Sequence, residues 1–294
     1  MPVAKTVKSK KPTVEKQNPK APSKKKTVGS IGDRITDWGD SSEEGISLCL
    51  YGESGTGKST LASTFPGPIL WCIRSGGKNP GEIKSVAKED RKKIKKLILQ
   101  SSKDLLDVAD LLESEGGFKT VVLDNCSGFS DMTMAEILQL DKLPEQLSWG
   151  LAQQSDWGQL SLQCKEIWRR VLDLSINRIF IAHQRDFSKE ESKASDLDLI
   201  PSIGPSLTPA LATWINASCD NVCQCFKKQK TVVKQVKMAG KTVSQTVPVP
   251  GVDYCLRTGP HGVFMTRFRV PRGRQLPDMI IDPDYGKLIK LIDE

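Results

Sequence analysis

The chain of 294 residues is as informative in what it lacks as in what it holds. No apolar run approaches the roughly 20 residues that a membrane-spanning helix needs, so no membrane partner is expected. The N-terminus has no apolar stretch of the kind a secretory signal carries, and export is not expected. Internal repeats are absent. Histidine occurs only twice, at His183 and His261. The eight cysteines are too few for a disulfide scaffold at this length, which points to free thiols. Cys219, Cys223 and Cys225 resemble ligands, but C-x₃-C-x-C has no second pair at zinc spacing and the histidines lie far off. Cys223 and Cys225 fall on one strand face, as buried thiols do.

Acidic residues are scarce in two places. Residues 1–30 hold nine lysines and one glutamate, while the rest of the chain has 34 basic and 34 acidic residues. The whole net charge of +8 therefore sits in this segment. Its Lys, Pro, Ser, Thr and Val follow no hydrophobic period and cannot bury enough surface to offset ordering entropy, so a disordered tail is expected. A polyvalent arm for nucleic acid and a solubilising tail both fit it. The second place is 227–249, with six lysines and no acid: Lys227, Lys228, Lys230, Lys234, Lys237 and Lys241. Val, Thr and Gln alternate there around Met238-Ala239-Gly240, which predicts a protruding basic β-hairpin. Tracking of a nucleic-acid backbone is the favoured reading, and a lysine-guarded sheet edge the other.

What is present centres on residues 46–60, ISLCLYGESGTGKST. The apolar run Ile46 to Tyr51 predicts a buried strand, and Thr60, Leu61 and Ala62 open a helix. Between them, Gly52-Glu53-Ser54-Gly55-Thr56-Gly57-Lys58-Ser59 fits the phosphate-loop pattern G-x-x-x-x-G-K-[ST]. A triphosphate needs many donors at close range. Glycines let the backbone turn its N–H groups inward, and the positive end of the following helix faces the same phosphates. Lys58 reaches the β- and γ-phosphates in such a loop, and the Ser59 hydroxyl ligates Mg²⁺. ATP and Mg²⁺ are the expected cofactors, and a nucleotide site implies the cytoplasm, that of a host if the protein is viral.

Further along, Pro68 to Ile73 predicts a second buried strand, ending in Arg74-Ser75-Gly76-Gly77. Leu97-Ile98-Leu99 suits a short strand, and Ser101 or Ser102 a cap for a helix carrying Leu105, Leu106, Val108, Leu111 and Leu112. KTVVLD, 119–124, is a strand ending in an acid, which matches a Walker B element with Asp124 holding Mg²⁺. Residues 127–155 look less regular. Asp156 is expected to cap a helix with Trp157, Leu160, Cys164, Ile167, Trp168 and Val171 on one face. Ile179 to Ala182 predicts a strand ending in His183-Gln184, where open α/β sheets bind ligands. A polar mobile loop is expected over 185–205, a helix over 206–217, and strands at 221–226, 254–257 and 263–270. Trp38 reads as a packed anchor or a base-stacking platform.

The order LYGESGTGKSTLASTFPGPIL, TVVLDN, DWGQL, IFIAHQ and a late basic strand resembles the phage-type RecA-like ATP-binding proteins, which include single-strand annealing ATPases of bacteriophages. The resemblance spans about residues 46–290. It implies an α/β RecA-like P-loop domain over 31–294 with a mainly parallel central sheet. It also implies nucleotide contacts from the phosphate loop through Thr60, and γ-phosphate sensing by His183 and Gln184. Arg267 falls where the family has basic residues that reach a neighbour's nucleotide. Single-stranded DNA, further copies of the chain and a single-strand-binding protein are the partners it implies. One departure concerns chemistry. The family's acid after the second strand, which polarises water, is missing, and Glu53 and Gln184 remain to hold water. Slow ATP hydrolysis is expected. Other P-loop classes, such as a packaging motor or a small-molecule kinase, and an ATP-gated DNA-binding protein with negligible turnover are the rivals.

Overall fold

The computed structural model describes residues 45–74, 86–140, 152–187, 202–238 and 241–293. The N-terminal segment, Trp38, Ser75-Gly76-Gly77, most of the 185–205 loop and the Ala239-Gly240 turn lie outside them.

Five buried residues form β1 (Ser47–Tyr51), and the loop after it leads into α1 (Lys58–Ser63). Next come β2 (Ile69–Arg74), the short α2 (Lys88–Arg91), β3 (Ile94–Leu99) and α3 (Asp104–Ser114). β4 (Thr120–Asp124) passes directly into α4 (Cys126–Ile137). The 19-residue α5 (Gln154–Leu172) precedes β5 (Asn177–Ala182). A small antiparallel pair, β6 (Gln184–Asp186) and β7 (Ile203–Pro205), then leads to α6 (Pro209–Ser218). The long strands β8 (Asn221–Met238) and β9 (Lys241–Arg257) are followed by β10 (Met279–Ile281) and α7 (Tyr285–Asp293).

The main sheet has the order β10-β9-β8-β1-β5-β4-β2-β3. From β8 to β3 every pairing is parallel, and only β9 runs against its neighbours. This is the α/β, mainly parallel sheet typical of P-loop NTPases. Its central strands are buried on both faces, and their side chains alternate between two cores. Cys49, Tyr51, Cys72, Leu123 and Phe180 meet α3, α4, α5 and α6 on one side. Leu48, Leu50, Trp71, Ile73, Val122 and Ile181 meet α1 and α7 on the other. Burial on both faces explains why these strands read as near-continuous apolar runs. α5 buries Leu160, Cys164, Ile167, Trp168 and Val171, one stripe at helical spacing.

The parallel run brings the carboxyl ends of β1, β4 and β5 to one edge of the sheet. β8 pairs with β1 only over Asn221–Gln224, then continues in the same direction past Tyr51. The β8–β9 ribbon therefore leaves the sheet at that same edge. From Lys227 to Met238 it extends about 40 Å at roughly 3.3 Å per residue.

Several local expectations are corrected. The stretch after Asp124 is helical, because Asn125 caps α4 by accepting from Gly128 N at 2.6 Å. Asp156 is not the cap of α5. It stands three residues inside, and its carboxylate accepts from the backbone N–H of the true cap, Gln153, at 2.8 Å. At α3 the organising side chain is Asp104, which accepts from Gln100 N at 2.6 Å and Ser101 N at 3.1 Å. Residues 263–270 make no strand, only isolated bridges from Phe264 to Ile203 and from Arg267 to Val222. The reason is occupancy: β9 takes the edge of β8 from Gln224 onward and leaves Val222 alone to pair.

All eight cysteines are free and buried. Cys219 lies in the core under α6, while Cys223 and Cys225 lie in the opposite core, so the three do not converge. Burial pushes the thiols of Cys72, Cys164, Cys219 and Cys225 up to about 12 from an ordinary value near 9. Unfolded thiols release protons as pH passes about 9 and folded ones hold them, so stability is intact below that pH and falls above it. Each such thiol contributes up to about 1.4 kcal/mol per pH unit in this window. The urea midpoint should be level between about pH 7 and 8.5 and drop steeply by pH 10. Equal midpoints at pH 8 and 10 would contradict the burial.

Candidate nucleotide site

The loop Gly52–Gly57 joins β1 to α1 and is shaped by what a side chain cannot do there. A Cβ on Gly52 would stand 2.1 Å from the Cys225 carbonyl oxygen of β8, so only glycine lets the two backbones touch. Gly57 has φ of 89°, the left-handed region, at the residue preceding α1. Thr56 tightens the turn by donating its hydroxyl to the Glu53 carbonyl at 2.8 Å. Lys58 is buried, and its ammonium donates to the carbonyls of Gly52 at 2.8 Å and Glu53 at 2.7 Å. The loop thus wraps around one cation.

Asp124 ends β4 on the face that carries α1. Its Oδ2 accepts from the Ser59 hydroxyl at 3.4 Å and from the Trp71 indole N–H at 3.2 Å. A helix residue of α1 and a strand residue of β2 are thereby drawn to one carboxylate of β4. Asn125, the next residue, meets His183 at the end of β5, its Nδ2 lying 3.3 Å from His183 Nε2. The His183 backbone N–H donates to the Ser127 hydroxyl at 3.3 Å.

These groups border a cavity of about 690 Å³. Its lining includes Ser54 to Thr60, Asp124 and His183, together with Tyr254 of β9 and Asp282 and Pro283 of the turn before α7. The Tyr254 ring lies against Gly57: a Cβ there would be 3.3 Å from it. The donor set suits a polyanion with a hard cation. An ammonium sits inside a loop of backbone amides, and a hydroxyl and a carboxylate share one position, which fits Mg²⁺ better than a thiol-seeking metal.

A family model for the AAA domain matches residues 44–266. The chain belongs to the AAA domain family. No curated protein matches the sequence. Among solved structures, the crystal structure of the RadB recombinase is similar at 15% identity, over 81% of this chain and 87% of that chain, with a TM-score of 0.40.

Of the residues named from sequence, the AAA domain brings Ser54, Gly55, Thr56, Gly57, Lys58, Ser59, Thr60, Asp124 and His183 to the cavity wall. Gly52, the first residue of the loop, lies against the Cys225 carbonyl of β8. Glu53 and Gln184 sit beside the wall and bond to each other, Gln184 Nε2 donating to Glu53 Oε1 at 3.3 Å. Arg267 is placed elsewhere. Its guanidinium donates to the carbonyls of Asn216 at 2.9 Å and Ala217 at 3.1 Å, at the end of α6. Lys227, Lys228, Lys230 and Lys234 are exposed along β8, and Lys237 and Lys241 mark the far end of the ribbon. Sequence reasoning missed Trp71, Asn125, Tyr254 and Asp282. Only Asn125 had a local signal, a capping residue set directly after the strand-end acid.

Trp71 offers an optical report on the site, because its N–H and Ser59 share one oxygen of Asp124. Adding Mg²⁺ with a nucleoside triphosphate should change the protein's tryptophan emission, and Trp71→Phe should remove most of that change. An identical response in the variant would show that Asp124 is not where the cation binds.

Proposed function

We propose that the AAA domain binds ATP·Mg²⁺ and couples that state to single-stranded DNA, in the manner of phage-type RecA-like annealing ATPases, as a homo-oligomer. One observation carries this reading. Lys58, Ser59 and Asp124 share one cavity wall, and a basic ribbon rises from the same edge of the sheet. Lys58 holds the β- and γ-phosphates, and Ser59 and Asp124 hold Mg²⁺. Tyr254, Asp282 and Pro283, which line the same cavity, flank the nucleoside in this reading. Along β8, Lys228, Lys230 and Lys234 are exposed, a basic series suited to phosphates. The lysine-rich segment 1–30 adds a second polycationic contact, and a single-strand-binding protein is a further partner in this reading.

Turnover is slow in this proposal. Where the resembling family has an acid after the second strand, Arg74 stands instead, 3.9 Å from Asp131. Water-positioning groups are worth about 10²–10⁴-fold in rate. Glu53 and Gln184, the remaining candidates, are bonded to each other. This pairing favours a second reading, an ATP-gated DNA-binding protein with negligible turnover.

Steady-state ATPase assays with and without single-stranded DNA separate the readings. Slow, DNA-stimulated hydrolysis supports the first and DNA-indifferent turnover with a small acceptor a kinase. ATP-dependent DNA binding without turnover supports the gated binder. Lys58→Ala should weaken binding of a fluorescent ATP analogue at least tenfold, since charge-assisted contacts are worth about 1.5–3 kcal/mol. Equal affinities would remove the nucleotide assignment.

The ribbon is tested by salt. Lys230→Glu combined with Lys234→Glu should lower affinity for single-stranded DNA and flatten the slope of log K against log salt by at least about 1.4, about 0.7 per lost phosphate contact. An unchanged slope would make the lysines a guard on an exposed edge.

A further inference from the structure

A run of planar groups lies at the root of the ribbon. Arg257 and Gln224 stand opposite each other in the β8–β9 register, and Arg257 Nε donates to Gln224 Oε1 at 3.0 Å. Gln224 is buried, and its Nε2 donates to Gln184 Oε1 at 2.8 Å. Held in this way, the Arg257 guanidinium lies over the ring of Phe226 at 4.7 Å and over that of Phe264 at 4.5 Å. Phe264 is fixed in turn by its bridge to Ile203 of β7. His261 packs on it, with ring centroids 4.8 Å apart and planes tilted by 55°. His261 Nδ1 accepts from the backbone N–H groups of Val263 at 3.0 Å and Phe264 at 3.4 Å. The imidazole is therefore pinned, and as a neutral ring it carries its hydrogen on Nε2.

These groups are not core. Phe226, Arg257 and Phe264 are half-buried and His261 is exposed, whereas Phe65, Phe129 and Phe180 are fully covered. None of the four lines the nucleotide cavity. They adjoin the basic ribbon instead. Phe226 and Lys228 share one face of β8, two residues apart and ahead of the pairing irregularity at Gln229. Asp253 stands opposite Lys228, so charge is partly balanced at the root and dominates only farther out along β8. A rigid aromatic surface beside a cationic arm suits an unpaired strand. Lysines engage its phosphates, and ring faces take the bases that a duplex would hide.

We propose that His261 and Phe264, backed by Arg257 and Phe226, form a stacking platform for an unpaired base of single-stranded DNA at the root of the ribbon. This assignment rests on the reading of the chain as a single-strand binder. It adds the element that recognises a base, where the lysines of β8 recognise only backbone charge. Arg257 and Phe226 are positioning residues, which set the plane of Phe264 and through it that of His261.

Anisotropy titration of the full chain at pH 8, where an ordinary histidine is neutral, tests the platform. Two labelled strands of equal length are compared, oligothymidine and an abasic strand that carries the same phosphates without bases. The wild-type protein should prefer oligothymidine by about fivefold or more, the lower range for one stacked base. His261→Ala should remove most of that preference while leaving the abasic affinity and the slope of log K against log salt unchanged. Phe264→Leu, which keeps apolar volume but no ring, should do the same. His261→Phe restores a ring and should retain the preference. Thermal melts check folding, and if Phe264→Leu is unfolded the two substitutions at exposed His261 decide alone. A preference that survives His261→Ala would overturn the assignment. So would an equal loss on both strands with a flattened salt slope, which marks a phosphate contact. A wild-type protein that binds both strands equally well would overturn the platform and leave the single-strand reading standing. One that binds neither would overturn that reading, and the platform with it.

Discussion

The approach of two backbones, Gly52 to the Cys225 carbonyl, is the constraint on which the site depends. A loop that encircles a lysine must bring carbonyls to that cation, and one that receives phosphates must converge its amides on the same space. Neither is possible if a side chain props the loop away from β8. Pressed against that strand, the loop is held in place by a sheet member that belongs to the ribbon. The phosphate end of the cavity and the first embedded turn of the basic arm are thus packed as neighbours, with Cys225 contributing to both. Its buried thiol is inert at neutral pH, so it fills this space without bringing chemistry to it.

The second organising fact is the double burial of the parallel strands. Side chains alternate between the two cores, and this alternation decides which strand-end groups meet. Asp124 shares a face with Val122 and Trp71, the face carrying α1, and so reaches Ser59. Tyr51 points to the other face, where its hydroxyl donates to the Ile203 carbonyl at 3.4 Å and ties β1 to the small β6–β7 pair.

Local patterns carried much of this in the sequence. The phosphate loop is a contiguous signature, and β1, β4 and β5 are apolar throughout because both faces are covered. The α/β class and the strand-end acid were legible for that reason. α4 was not, because Ser127 and Gly128 are poor helix formers, and the helix exists through the Asn125 cap and the burial of Phe129, Met132 and Thr133. The failed strand at 263–270 shows the converse. Its pattern was adequate, but the edge it would have joined was already taken. The polar chain through Gln184, Gln224 and Arg257 links residues 33 or more positions apart, and no spacing rule announces it.

The ribbon's proportions have a mechanical meaning. Only its lowest residues are embedded in the sheet, and the rest is a two-stranded arm with one irregularity in its pairing between Gln229 and Thr231. On an arm of about 40 Å, a rotation of about 10° at the root carries the far end by about 7 Å. The root is where Arg257 is clamped between two rings and bonded to a buried amide. A displacement there too small to disturb the sheet is magnified several-fold at the far end. The fold has the form of a lever whose short side rests against the phosphate loop.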